Sequence, residues 1–293
     1  YPRAALGALG TAGLLGLISS QEVGGMGEGQ RAATAVVQAI AQHCGSTAMV
    51  VMMHYCATAV LEAFGPVAVR EAIAGGDYVA TLAFSEVGSR SMFWAPMSTA
   101  TPAGEGTVRL EAEKSWVTSA GQADGYVWSS RPLAAEGPST IWLVPADAPG
   151  LKVGAPFDGL GLRGNSSSPM TAAGVEISAS TMLGADGGGF DVMLMSVLPW
   201  FQVMNAGFAV GTAEAATAKA AAHAGATRYE HLDQSLADSP LTRANVARMR
   251  VRTDAAAALL SDTLGAMEAA RDDAMLRILE VKAFAGEMAI DVT

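Results

Sequence analysis

The chain has 293 residues, of which 51% are hydrophobic and 16% charged, and its formal net charge is −10. That supply of apolar surface excludes a disordered polypeptide, and the acidic balance argues against a broad nucleic-acid surface, which runs on clustered Lys and Arg. A local anionic ligand such as a dinucleotide remains compatible, because a few backbone N–H groups and one or two arginines can outweigh a distant negative field.

Cys44 and Cys56 are the only cysteines. Two are too few for a disulfide scaffold and lack the second pair a zinc site needs, so both are expected in the core of a protein kept in a reducing compartment, here the cytoplasm. The start Tyr1-Pro2-Arg3 shows no basic stretch followed by an apolar run, so no signal peptide is read.

From Pro2 to about Gly76 the texture is helical. Leu6, Leu9 and Leu14 mark one apolar face, Ala32 to Gln42 and Ala48 to Phe64 are rich in Ala, Val and Met, and Glu22-Val23-Gly24-Gly25-Met26-Gly27 reads as a connector. Around Tyr78 it changes to short β-branched and aromatic runs: Tyr78 to Phe84, Thr107 to Glu113, Tyr126 to Ser130, Thr140 to Val144 and Met170 to Ile177. Alternation is clearest in Val108-Arg109-Leu110-Glu111-Ala112-Glu113, and turns are marked by Ala103-Gly104-Glu105-Gly106 and Ala148-Pro149-Gly150. After Gly187-Gly188-Gly189 the helical texture returns and persists to Thr293, with two long Ala-rich segments on either side of a break near Asp238-Ser239-Pro240, the later one running from Val246 to Glu280.

This order gives an α+β chain: an all-α domain over residues 1–77, an antiparallel β-barrel domain over 78–186 and a helical bundle over 187–293. Two stretches, Cys44 to Leu61 and Val192 to Ala213, approach the length of a membrane span. Ser46, Thr47, His54 and Thr58 interrupt the first, and Pro199, Gln202 and Asn205 the second, so both are read as buried helices and no span is expected. Helices this apolar on every face imply subunit contacts, hence a homo-oligomer.

Particular residues narrow the class. The stretch Leu82-Ala83-Phe84-Ser85-Glu86-Val87-Gly88-Ser89-Arg90-Ser91 resembles the flavin and substrate loop of the acyl-CoA dehydrogenases. Lys114-Ser115-Trp116-Val117-Thr118-Ser119-Ala120 is similar to that family's second flavin motif, and Gly161-Leu162-Arg163-Gly164-Asn165-Ser166 to its structural turn. Gly13-Leu14-Leu15-Gly16-Leu17 and the Gly-Gly connector look like its first helix end. The matches fall in the family's order.

The resemblance implies FAD, held by Trp116 as a wall, by the hydroxyls of Ser85 and Thr118, by the backbone of Phe84 and Val117, and by Ser91, with Arg228 reaching a pyrophosphate. Ser91 and Ser89 are the implied substrate contacts. An isoalloxazine is a flat plate with polar edges and needs this kind of wall and these donors. In the family a Glu takes the α-proton of an acyl thioester while the β-hydrogen leaves as hydride to the flavin. That Glu is carried near the C-terminus, in a region this chain does not reach, or early on the first bundle helix. Here the second place reads Leu198-Pro199-Trp200-Phe201-Gln202, without a carboxylate. Asp191 and Glu214 are each about ten residues away, or roughly 15 Å along a helix, too far for proton transfer. The catalytic base is therefore unassigned and the bundle is expected to be incomplete.

The family's Phe-Gly after the pyrophosphate Arg is replaced by Tyr229-Glu230-His231-Leu232, and Arg90 and Met92 stand where Gly and Asp are common. His43, His54, His223 and His231 form no catalytic or metal pattern and are read as structural. The leading expectation is an FAD-dependent acyl-CoA dehydrogenase of lipid metabolism, a dimer or tetramer passing electrons to an electron-transfer flavoprotein or similar acceptor. The alternatives are a flavin monooxygenase or oxidase of the same fold, and a non-catalytic member.

Overall fold

The computed structural model describes residues 1–90 and 92–293. By contact the chain groups into two compact units, residues 1–29 with 49–201 and residues 30–48 with 202–293.

The helices before the sheets are α1 (Arg3–Thr11), α2 (Gln30–Ala41), α3 (Gly45–Phe64) and α4 (Val67–Gly75). Between α1 and α2 the expected glycine connector is fixed by close backbone approach: a Cβ on Gly25 would lie 2.1 Å from the Ser19 carbonyl oxygen, and Gly24 takes φ +89°. His54 is fully buried on α3, where Nε2 meets the Leu15 carbonyl at 3.0 Å and Nδ1 accepts the Ala80 N–H at 3.2 Å. Both ring nitrogens are thus used structurally, and burial pushes the imidazole pKa down. His43, His223 and His231 are exposed.

The strands are β1 (Ala80–Ala83), β2 (Thr99–Gly104), β3 (Thr107–Val117), β4 (Gly125–Ser130), β5 (Thr140–Pro145), β6 (Leu151–Val153) and β7 (Ser168–Ser178). They form two sheets, β1-β4-β5 and β2-β3-β7-β6. All pairs are antiparallel except β1 with β4, which run parallel with Ala80 opposite Gly125. Strand β3 keeps strict alternation: Val108, Leu110, Ala112 and Lys114 are buried while Arg109, Glu111 and Glu113 face out. Its inward residues join Tyr126, Trp128, Trp142, Met170 and Val175 in one core. The buried Trp142 indole donates to Ser130 Oγ at 2.9 Å, as a polar ring atom inside a core requires.

Downstream come α5 (Gly189–Val192), a π turn over Met193–Val197, and α6 (Leu198–Ala226). A two-residue hairpin, β8 (Arg228–Tyr229) and β9 (Gln234–Ser235), then leads to α7 (Pro240–Glu268) and α8 (Ala274–Val292). Pro240 opens α7 and the Ser239 hydroxyl accepts the Thr242 N–H, a capped start where the sequence placed a break. Leu260, Leu264, Ile278, Val281 and Met288 pack with Val203 and Val210 of α6.

Two expectations are corrected. The segment Val246 to Glu280 is not one helix: it breaks between Glu268 and Ala274, where Ala270 takes φ +48°. Arg271 closes that turn with ion pairs to Asp262 at 2.9 Å and Asp273 at 2.7 Å, a tertiary arrangement that helix propensity does not report. Cys44 is exposed ahead of α3; only Cys56 is a core residue. Both apolar stretches are helical, Gly45–Phe64 and Gly189–Ala226, each long and apolar enough to cross a membrane; 67% of the first window and 44% of the second is buried inside the fold.

Candidate functional site

The candidate residues gather where β1 ends and β3 breaks its ladder. Chain leaving β1 continues through Phe84 and Ser85, and Ser85 accepts the Ser115 N–H through its carbonyl at 2.9 Å. Glu86 and Lys114 form an antiparallel bridge beside it. Pairing of β3 with β7 slips between Lys114 and Val117, a bulge that re-aims the side chains beyond it.

The bulge presents Trp116. Its φ is +57°, a left-handed conformation that is an outlier for a bulky residue, and its side chain is 64% exposed. One face of the indole stacks on Phe157, with ring centroids 4.0 Å apart and planes 22° apart. Val117 and Thr118 turn inward and are buried, as is Phe84, whereas Ser85 is exposed.

A second strained segment lies against the first. Ser119 at φ +59°, Leu162 at +59° and Ser166 at +54° join Trp116 among the left-handed non-glycine residues. The Ser119 N–H donates to the Asn165 carbonyl at 2.9 Å, and the Ser166 hydroxyl to the Ala120 carbonyl at 3.1 Å. Each such conformation costs on the order of 1 to 3 kcal/mol, and strain of this kind concentrates at ligand sites. The structural turn of the sequence, residues 161–166, is therefore the brace of the 116–120 segment.

The other candidate residues are placed apart. Ser89 is buried and its hydroxyl donates to the Glu86 carbonyl at 3.2 Å. Ser91 lies outside the described residues. Arg228 belongs to the second compact unit, where its guanidinium pairs with Asp233 Oδ1 at 2.6 Å across its own hairpin. In that unit Glu214 accepts amide donors from Gln38 at 3.2 Å and Gln42 at 2.8 Å, which occupies its carboxylate. The carbonyl oxygen of Gln202, in the stretch singled out for lacking a carboxylate, is buried without a partner among the described residues.

Sequence reading assigned no role to Glu86 and Lys114, which carry the densest polar network of this region. Lys114 Nζ donates to Glu86 Oε1 at 2.6 Å, to the Ser129 carbonyl at 2.7 Å and to Ser129 Oγ at 3.0 Å, and its side chain has no exposed surface. Glu86 Oε2 accepts the N–H groups of Met97 at 2.5 Å and Ser98 at 3.0 Å, and Oε1 accepts the Ser98 hydroxyl. Burial pushes Lys114 down to about 8 against the pull of Glu86. Burial also opposes ionisation of Glu86, but the Lys114 charge and the donors around the carboxylate override it and hold its pKa below the usual range.

Glu86 and Ser98 of this network also line a cavity of about 460 Å³, together with Val87, Glu111, Glu113 and Thr171. Its carboxylates make it a poor place for phosphate. Among the described residues no group of three or more His, Cys, Asp or Glu is arranged to hold a metal ion.

Comparison with known proteins gives this geometry a family. Residues 1–86, 81–175 and 187–293 match the family models of the acyl-CoA dehydrogenase N-terminal, middle and C-terminal domains. The chain belongs to the acyl-CoA dehydrogenase family. It is 30% identical over 224 residues to the human mitochondrial short-chain specific acyl-CoA dehydrogenase, an overlap covering 74% of this chain and 54% of that protein. The chain thus spans about half the length of the curated relative.

In fold it is similar to butyryl-CoA dehydrogenase from Megasphaera elsdenii, with a TM-score of 0.90 at 21% identity, covering all of this chain and 78% of the other. A chain in the structure of the electron transferring flavoprotein of Acidaminococcus fermentans superimposes with a TM-score of 0.92 at 21% identity, covering all of this chain and 77% of the other.

Proposed function

We propose that this chain is an FAD-dependent oxidoreductase of acyl thioesters, with the flavin ring seated against Trp116 between the 84–85 and 116–118 segments. One observation carries the reading: an indole 64% exposed, held out by a strained bulge and braced by a second strained turn. A fold that spends backbone strain to keep a large apolar plate in water has a ligand to cover it.

The donor chemistry fits a flavin. Trp116 supplies the flat wall, the exposed Ser85 a hydroxyl, and the backbone at Phe84–Ser85 and Val117–Thr118 the edge contacts. When bound, the flavin supplies the two-electron acceptor for α,β-dehydrogenation of the acyl chain. The protein's own part is to orient the thioester and exclude water. Arg228 is kept as the pyrophosphate contact, and Ser91 and Ser89 as substrate contacts, on the strength of the resemblance alone.

The working form in this reading is a cytoplasmic homodimer or homotetramer without a membrane span, which hands electrons to an electron-transfer flavoprotein or a similar acceptor. The test is spectroscopic. Protein reconstituted with FAD should be yellow and should bleach anaerobically with a short acyl-CoA. A spectrum unchanged across acyl chain lengths removes the dehydrogenase assignment.

A second reading, a flavin monooxygenase or a non-catalytic binder, is favoured by the lack of a carboxylate at residues 198–202. Oxygen uptake by the reduced flavoprotein supports the monooxygenase. A colourless protein whose melting temperature is unmoved by FAD supports the non-catalytic member, since a ligand of the native state must stabilise it.

A further inference from the structure

We propose that Glu86 and Lys114 form a clasp that closes the neck of the 86–98 loop and positions Ser85 against the Trp116 bulge, making both of them positioning residues of the proposed cofactor site. The inference rests on the flavin reading of that site. It goes beyond it by naming what sets the site's geometry.

The geometry is that of a knot at the two ends of a loop. One carboxylate takes donors from its own loop at the far end, the N–H groups of Met97 and Ser98 and the Ser98 hydroxyl, so residues 86 and 97–98 are held together. Lys114 then fastens that knot to β4 through the Ser129 carbonyl and hydroxyl, and to β3 through its own backbone. Trp116 follows only two residues later, across the slip in the ladder. Between the clasped ends the chain carries exposed Val87, Met92, Trp94 and Met97, an apolar tip that the clasp leaves accessible.

Plain stability does not account for such a pair. Two buried charges lose much of their mutual attraction to desolvation, and an apolar pair of similar volume is often as stabilising. What the ions supply is direction: four donors on the carboxylate, and acceptor oxygens of Glu86, Ser98 and Ser129 around the ammonium, specify one arrangement of loop, β3 and β4. Glu86 is the charged group facing Lys114. From β4 the ammonium meets only Ser129 and the Trp128 ring, at 5.1 Å, and Glu111 and Glu113 point from β3 to the opposite face. Loss of the lysine proton therefore leaves the clasp without its attraction, and burial, which brings Lys114 down to about 8, puts that loss in mildly alkaline solution.

Arg90, exposed in the loop, gives a direct readout. The full chain is digested with trypsin between pH 7 and 9, cleavage after Arg90 is followed by mass spectrometry and normalised to a peptide standard, and FAD affinity is measured by flavin fluorescence. In the wild type, normalised cleavage should rise at least fivefold through about pH 8, with a parallel fall in FAD affinity. In Lys114→Met, cleavage should be fast at pH 7 and independent of pH, with FAD bound at least tenfold more weakly; Glu86→Gln should behave likewise. A merely structural pair would lower the melting temperature and leave FAD affinity unmoved.

Folded variants whose cleavage and FAD affinity stay within twofold of wild type overturn the clasp. Should Lys114→Met fail to fold, the wild-type pH profile and Glu86→Gln decide in the same way. A wild type that binds no FAD at any pH defeats the flavin reading and the cofactor role with it. The clasping of the loop is still judged by cleavage after Arg90, and a flat wild-type profile sinks it.

Discussion

Asp186 offers a quantitative test of the fold beneath the site. Its carboxylate accepts the backbone N–H groups of Leu133, Ala134 and Ala135, each at 2.8 Å, and the Thr140 hydroxyl at 2.5 Å, tying the β4–β5 connection to the end of the β segment. Partial burial pushes the Asp186 pKa up, but the Thr140 hydroxyl and the three N–H groups override it and leave the group at about 2. Against an unfolded value of about 3.9, and at about 1.4 kcal/mol per unit, the anion contributes on the order of 2 kcal/mol.

The sign follows from proton counting. Between about pH 4 and 2 the unfolded chain binds the proton and the folded chain does not, so the contribution is complete above about pH 4 and is lost as pH falls through the folded value. Asp186→Asn keeps the shape, removes the charge and turns one acceptor into a donor facing donors. Urea unfolding at pH 7 should show it destabilised by about 2 kcal/mol, and at pH 3 the gap should shrink to roughly half. A gap that is absent at pH 7, or constant from pH 7 to 3, refutes the assignment.

The remaining predictions read other parts of the chain. Trp116→Ala should cost less than about 1.5 kcal/mol of stability, the loss of one aromatic stack, yet weaken FAD binding at least tenfold; paired melting and flavin-fluorescence titrations separate the two effects. Gly16→Ala should destabilise by at least about 1 to 3 kcal/mol, because its Cβ would lie 2.5 Å from the Ala74 carbonyl oxygen; a melting temperature equal to wild type contradicts the backbone contact. In a thiol titration of native protein with an aromatic disulfide, Cys44 should react and Cys56 should not, the second equivalent appearing only on unfolding.

Much of the fold was legible because period and punctuation agreed. Alternation from Val108 to Glu113 continues in β3 and marks its buried face, and Gly104 and Gly106 turn the chain at the expected hairpin with φ +137° and +66°. Strand β2 was not legible: Pro102 and Gly104 are strand breakers by composition, and they are tolerated because β2 is an edge of its sheet with a slip between those two residues. The three-residue β6 is too short to carry a period. The parallel pairing of β1 with β4 depends on where the intervening chain returns, which local pattern does not encode.

The site was legible in part. Motif spacing pointed to Ser85 and to Trp116–Thr118, and backbone pairing brings residues 85 and 115 together. Lys114 could have been found without any resemblance: it falls at the inward register set by Val108, Leu110 and Ala112, where a charged residue requires a buried partner. That Glu86 is the partner lay beyond pattern, since the two are 28 residues apart.

The strained backbone and the buried ions answer one another. Left-handed Trp116 and Ser119 would relax toward an ordinary strand if the ladder could resume past Lys114, regaining up to about 1 to 3 kcal/mol each. Two restraints oppose that relaxation. On one side the Asn165 carbonyl and the Ser166 hydroxyl hold Ser119 and Ala120; on the other, Glu86 and Ser129 fix Lys114. The bulge is therefore over-determined from both ends, which is the condition for keeping an exposed indole in a single orientation before any ligand arrives.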